Sequence, residues 1–274
     1  MTAGAASFDF VRQLVMTEMG IVIESGKEYL VESRLGPVAR GAGLPSIDAL
    51  VMSLRAGKAP DLRRQVLDAM TTNETTFFRD AEPFVCMEKL VVPELLKARA
   101  SSRKLRIWYA ASSSGQEPYS VSMLLQEHFP ETQGWLVDQF GTDISRSALA
   151  RAMAGRYTQA EVNRGLPAKY LIKYFEKVGS EWQIKDTIRK MVKYEELNLH
   201  GRWPMAGKFD IVFIRNVMIY FDVEAKKRIL SRIHDMLAPD GFLFLGAAET
   251  TFNLDGRFVK AEFPRSGCYR RASA

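Results

Sequence analysis

The stretch that most constrains this chain is LRIWYA, residues 105–110, running directly into Ala111-Ser-Ser-Ser-Gly115-Gln-Glu117-Pro-Tyr-Ser120. A short apolar strand passes into a turn of small residues, and Pro118 falls in the first turn of the helical pattern PYSVSMLLQEHF. Small residues at such a turn let the backbone approach a ligand, while the following helix points its amide dipoles at it. The alternation then continues. WLVDQFGTD reads as a second strand, SRSALARAMAG as a helix ending at Gly155, and KMVKYEELNL and FDIVFIRN as third and fourth strands. VEAKKRILSRIHDML is an amphipathic helix closed by Ala-Pro-Asp-Gly, and GFLFLGAAE is a fifth strand. Strands alternating with helices predict a doubly wound parallel sheet with right-handed crossovers. RFVKAEFPRSGCYRR predicts a C-terminal antiparallel hairpin turning at Pro264–Gly267.

Two regions depart from the alternation. The first quarter spaces its apolar residues at three and four in FDFVRQLVMTEMGIVI, KEYLVESRLGPVAR, IDALVMSLRAG and DLRRQVLDAM. Breakers at Ser25-Gly26, Gly41–Pro45 and Gly57-Lys58-Ala-Pro60 separate these segments, which predicts a helical domain over residues 1–72. Residues 73–104 form a linker and lead-in helix to a second domain over 105–274. Within that domain, 156–190 is too long for a simple connection. It reads as a polar loop, a helix around LPAKYLIKYFEKV and two brief strands about Gly179-Ser-Glu181, a small inserted subdomain.

Several function classes are excluded or disfavoured. A single glycine in the 110–120 turn is not the GxGxxG fingerprint of NAD enzymes, and no P-loop is present. No apolar run approaches the roughly 20 residues needed to cross a bilayer. The N-terminus MTAGAASFDF lacks the basic start and apolar core of a signal peptide. Cys86 and Cys268 show neither metal-ligand spacing nor a disulfide framework, so no metal site is expected and a reducing cytoplasm is the expected location. The formal charge of +6 lies outside residues 1–72, where acids balance bases, and is scattered through segments such as RASSRKLR and KDTIRKMVK. No aromatic-rich basic stripe accompanies it, which argues against nucleic-acid binding.

Asp143, ending the second strand in GTDIS, sharpens the picture. Rossmann-type sites use an acid there to hold ribose hydroxyls, although Asp143 or Ser145 equally suits the N-cap of the next helix. With SSSGQEPYS and GTDIS stand Asn198-Leu199, RNVMIYF (215–221) and NETTFFR (73–79). Together these resemble the CheR family, the chemotaxis receptor methyltransferases, over nearly the whole chain. Ser112 stands where many members carry cysteine; a serine is small enough to leave the backbone cradle intact.

The resemblance implies a Rossmann-like methyltransferase sheet behind a helical, receptor-facing domain, with S-adenosylmethionine as cofactor and S-adenosylhomocysteine as product. It places cofactor contacts on Asn73, Thr75, Arg79, Glu117, Asp143, Asn198, Leu199, Asn216 and Val217. Glu117 suits the methionyl ammonium or a ribose hydroxyl, Asp143 the ribose, Asn198 and Leu199 the adenine edge. Asn216 and Val217 would close the fourth strand beside the sulfonium. Arg79 holds either the substrate carboxylate or the cofactor's own; Tyr220 lines the methyl-transfer position or packs in the core beside Phe221.

The implied reaction is methyl-esterification of receptor glutamates. With an ordinary pKa near ~4.3 such a glutamate is already ionised, so no general base is needed, and His128, His200 and His234 read as helix or loop residues. Arg34, Arg40, Arg55, Arg63 and Arg64 would meet the acidic face of the receptor's helical bundle. Some family members grasp a C-terminal peptide tether with the small subdomain, but the short turn at 179–181 argues against it here. A monomer is expected. Rival readings are methylation of RNA or another protein, and a docking scaffold without turnover.

Overall fold

The computed structural model describes residues 4–57 and 59–272. Lys58, in the last breaker of the helical quarter, lies outside the described residues. Four helices come first: α1 (Ala5–Met19), α2 (Glu28–Gly41), α3 (Ile47–Arg55) and α4 (Pro60–Met70). Their apolar stripes meet in one core that includes Val11, Val15, Val31, Leu35, Leu50 and Val66. Ser46 caps α3 by accepting the Ala49 N–H, and Pro60 opens α4, where a missing N–H costs nothing. α5 (Ala81–Cys86) and α6 (Val92–Ala98) continue each other through a π-helical turn at Met87–Val91. Pro93, which has no N–H to give to the preceding turn, fits that widening.

The second part contains β1 (Lys104–Ala110), α7 (Gln116–His128), β2 (Leu136–Asp143) and α8 (Arg146–Ala154). There follow β3 (Arg156–Thr158), α9 (Gln159–Val162), α10 (Ala168–Tyr174), β4 (Phe175–Val178), β5 (Glu181–Ile184) and α11 (Asp186–Arg189). The chain ends with β6 (Val192–Glu196), β7 (Phe209–Ile214), α12 (Val223–Met236), β8 (Leu237–Leu245), β9 (Phe258–Lys260) and β10 (Cys268–Arg271). Seven strands form one sheet in the order β6-β2-β1-β7-β8-β10-β9. The first five run parallel, whereas β10 is antiparallel to β8 and β9 to β10. The chain moves outward from β1 through β2 to β6, then returns to β7 on the other side of β1. This opens the carboxyl edge of the sheet between β1 and β7, the switch point at which such sheets bind ligands.

The inserted segment forms a separate antiparallel sheet, β3-β5-β4. Two details differ from the sequence expectation. The helical pattern LPAKYLIKYFEKV stops at Tyr174, because Phe175 is buried and pairs with Ile184, so tertiary pairing overrides the local period. β8 begins at Leu237, so Ala-Pro-Asp-Gly lies inside the strand as a register shift against β7 rather than as a free turn. Cys86 and Cys268 are free, and both are buried in the core on one face of the sheet.

The helical part meets the sheet at the carboxyl edge. Gly20 ends α1 at φ +70°, and a Cβ there would lie 2.6 Å from His200 Nδ1. The chain then pairs Ile21 with Phe221 in a single antiparallel bridge, and the Val22 N–H donates to Tyr220 O at 2.9 Å. The segment between the two parts is anchored by Phe77, whose ring lies edge-on to Tyr157 at 5.0 Å and to Phe175 at 5.6 Å.

Candidate active site

A cleft lies where the helical part, the 71–79 segment and the strand ends converge. Asn73, Thr75, Arg79, Glu117, Asp143, Asn198, Leu199, Asn216, Val217 and Tyr220 all line it, together with Met19, Ile21, Ile144 and Leu197, which form an apolar wall.

The turn after β1 is shaped by backbone geometry. Ala111, Ser113 and Gly115 all have positive φ, at +63°, +50° and +92°. At Gly115 a Cβ would lie 2.9 Å from the Tyr194 hydroxyl and 3.0 Å from the Ala152 Cβ, so only glycine fits without displacing a neighbour. The Ser112 N–H donates to Thr142 O at 2.8 Å, tying the turn to β2, while the buried Ser112 hydroxyl has no partner.

Asp143 is fixed by the same turn. Its Oδ2 accepts the Ser113 N–H at 2.8 Å and its Oδ1 accepts the Ser145 N–H at 2.9 Å. The N-cap of α8 is Ser145, which accepts the Ala148 N–H. The Ile144 N–H also stabilises the carboxylate, and the acceptor capacity left over faces the cleft. Burial pushes the Asp143 carboxyl above its usual range, and the backbone N–H groups only partly oppose this.

Across the cleft, Glu117 Oε2 accepts from Arg215 Nη1 at 2.5 Å. Arg215 is 6% exposed, and its Nη2 also donates to Arg79 O at 2.8 Å and Asp80 Oδ2 at 3.0 Å. Burial raises the Glu117 carboxyl, with the Arg215 charge opposing the rise. Arg215 was quoted within RNVMIYF without a role. Its signal was an arginine directly after the apolar run Ile211–Ile214, a charge that burial obliges to find a partner.

The remaining predicted residues stitch the parts together. Asn198 Nδ2 donates to Glu18 O at 2.6 Å, and its Oδ1 accepts the His200 N–H at 2.9 Å. Asn73 Nδ2 donates to Thr71 Oγ1 and Ser145 Oγ, and Asn73 O accepts the Ser113 hydroxyl at 2.8 Å. Arg79 Nη1 donates to Glu74 O at 3.0 Å. Asn216 has φ +59°, and its N–H donates to Glu249 Oε2, a residue sequence reasoning missed.

Of the five arginines assigned to the receptor, none lines this cleft. Arg34 donates to Met70 O and Thr72 Oγ1, each at 2.8 Å, and so braces α2 against the chain entering the cleft. Arg63 pairs with Glu18 at 2.5 Å, and Arg55 lies over the Phe10 ring at 5.0 Å. Arg40, Arg55 and Arg64 are exposed. Arg63 and Arg64 line a second cleft between α4 and α8.

Residues 6–71 match the CheR methyltransferase all-alpha domain, and residues 73–266 match the CheR methyltransferase SAM binding domain. The chain belongs to the CheR methyltransferase family. It is 43% identical over 274 residues to Chemotaxis protein methyltransferase 1 of Pseudomonas aeruginosa, covering 98% of this chain and 99% of that protein. It is 41% identical over 262 residues to Chemotaxis protein methyltransferase Cher2 of Pseudomonas putida, covering 94% and 95%. A Vibrio parahaemolyticus chemotaxis protein methyltransferase is 40% identical over 253 residues, covering 91% and 90%.

The cofactor of the CheR family, S-adenosylmethionine, fits this cleft. The apolar lining suits a purine, the Asp143 carboxylate a ribose, and the half-buried Glu117 carboxylate an ammonium. Asp143→Ala is expected to weaken S-adenosylhomocysteine binding by about 2–4 kcal/mol, the loss of a pair of charge-assisted hydrogen bonds. Calorimetry giving wild-type affinity would remove Asp143 from the site.

Binding should also fall with acid. With the ribose on Asp143 and the ammonium on Glu117, as the resemblance implies, affinity would be complete above the folded pKa values of both carboxylates and lost as pH falls through them. Both values are raised by burial, so the loss begins at higher pH than for free carboxylates, whose pKa values are near ~4. A pH series of S-adenosylhomocysteine titrations showing flat affinity down to the free-carboxylate range would contradict this.

Proposed function

We propose that the protein transfers the methyl group of S-adenosylmethionine to glutamate side chains of chemoreceptors, giving the glutamyl methyl esters of chemotactic adaptation. The observation that carries this reading is the convergence of the predicted cofactor residues on one cleft with two carboxylates, the buried Asp143 and the half-buried Glu117. Membership of the CheR family and the names of the relatives support it.

The bound cofactor supplies an activated methyl on a positively charged sulfur. An ionised substrate carboxylate would need no proton removed, so the protein's work is positioning and exclusion of water. Asp143 holds the ribose, Glu117 the ammonium, Asn198 and Leu199 the adenine edge, and Asn216 and Val217 the wall beside the sulfonium. Asn73 and Thr75 close the cleft from the linker. Arg79 orients the incoming carboxylate, and Tyr220 borders the transfer position.

In this reading residues 1–72 face the receptor and 105–274 carry the chemistry, and the protein acts as a cytoplasmic monomer. Among the described residues no helix is long and apolar enough to cross a membrane. Docking is direct, through exposed arginines such as Arg40, Arg55 and Arg64, and weakens as salt shortens the Debye length from roughly 10 Å at 0.1 M to about 3 Å at 1 M. β4 is an edge of the small sheet, four residues long and joined to β5 by a two-residue turn. We propose that this short edge holds no receptor tether. Micromolar binding of receptor C-terminal peptides in calorimetry would overturn that point.

The reading as a whole is tested by labelled methyl transfer to receptor-containing membranes, with RNA as the rival substrate. Base-labile label on receptor is the expected result. Label on RNA, or on neither, would reject it.

A further inference from the structure

The ends of β7 and β8 lie side by side, with Ile214 paired to Leu245. Immediately beyond them, one oxygen of Glu249 accepts two backbone N–H groups, Gly246 at 2.7 Å and Asn216 at 2.8 Å. A single acceptor thus joins the loops that leave two neighbouring strands. The clamp is tight: a Cβ on Gly246 would lie 2.8 Å from Asn216 N, Asn216 Nδ2 and Glu249 Oε2 alike. Asn216 sits at φ +59°, a left-handed conformation that asparagine adopts more readily than most other non-glycine residues, and the clamp fixes its N–H in that geometry. Asn216 and Val217 line the cleft, whereas Glu249 does not.

We propose that Glu249 is a positioning residue for the cofactor, holding Asn216 and Val217 in the cleft wall through one carboxylate oxygen. The proposal rests on the reading of the cleft as the S-adenosylmethionine site. Without the clamp, the Asn216 N–H loses its acceptor and the two loops are no longer held together, so the wall beside Asn216 moves. The other oxygen, Oε1, is buried without a partner, so the clamp uses acceptor geometry at Oε2 alone. Glutamine supplies the same geometry, because its amide oxygen accepts both N–H groups.

The test is calorimetric titration of S-adenosylhomocysteine into wild type, Glu249→Ala, Glu249→Gln and Gly246→Ala, with steady-state KM for cofactor and receptor measured separately. Glu249→Ala is expected to bind roughly tenfold more weakly, the scale of one lost hydrogen bond. Its cofactor KM rises while its receptor KM does not, and Glu249→Gln stays near wild type. Gly246→Ala keeps the carboxylate but forces a methyl into the clamp, and it should weaken binding in the same way even if Glu249→Ala does not fold. Wild-type affinity in Glu249→Ala or Gly246→Ala would overturn the proposal. So would a glutamine variant as weak as alanine, which would mean that charge rather than positioning matters. A wild-type protein that binds no S-adenosylhomocysteine would overturn the cofactor reading, and this proposal with it.

Discussion

Arg215→Ala is expected to destabilise the protein by about 3–5 kcal/mol, the cost of leaving a buried charge without its partner. Arg215 neutralises Glu117 at 2.5 Å and gives its second nitrogen to Arg79 O and Asp80 Oδ2, so it also pins the turn that presents Arg79. Its loss leaves Glu117 in a site where burial already favours the protonated form. The remaining partner, Asp80, is more exposed and contributes less to the penalty. Replacing both members, Glu117→Gln with Arg215→Met, should restore much of the stability, because a neutral pair carries no unpaired buried charge. The double variant should still bind cofactor poorly, having lost the carboxylate. Urea denaturation of the three proteins checks this, and a loss below about 1 kcal/mol for Arg215→Ala would remove the ion pair from the account.

Arg79→Ala is expected to abolish methyl transfer while S-adenosylhomocysteine affinity stays within a few-fold of wild type. Arg79 lies in the cleft wall with one guanidinium nitrogen committed to Glu74 O, which leaves the rest of the fork for a carboxylate. Lysine keeps the charge but loses the planar fork, so Arg79→Lys should rescue poorly. Collapse of cofactor binding in Arg79→Ala would instead assign this arginine to the cofactor's own carboxylate.

Asp143 was legible as a candidate because it ends a strand that period and breakers locate, whereas Glu117 and Asn216 were reached through the family resemblance. Asp143 follows the apolar run of β2, Glu117 opens the helix after a small-residue turn, and Asn216 closes β7. The positive φ values at Ala111, Ser113 and Asn216 were not legible, since none of these residues is a glycine. Nor were the partners of Arg215, because Glu117 lies 98 residues away and only the fold brings them together. Arg34 shows the same limit from the opposite side. On a helical wheel it reads as a solvated charge, yet it is spent on Met70 O and Thr72. In the small sheet, β3 and the FEKV segment are strands because Tyr157 and Phe175 bury against Phe77, a contact that no local pattern announces.

The central claim is that the cleft between the helical part and the sheet is a single S-adenosylmethionine site. Calorimetric titration with S-adenosylhomocysteine, with NAD as the comparison ligand, tests it most directly. The account predicts one site per chain for S-adenosylhomocysteine and no binding of NAD. Saturable NAD binding, or no heat from S-adenosylhomocysteine at millimolar concentration, would contradict it.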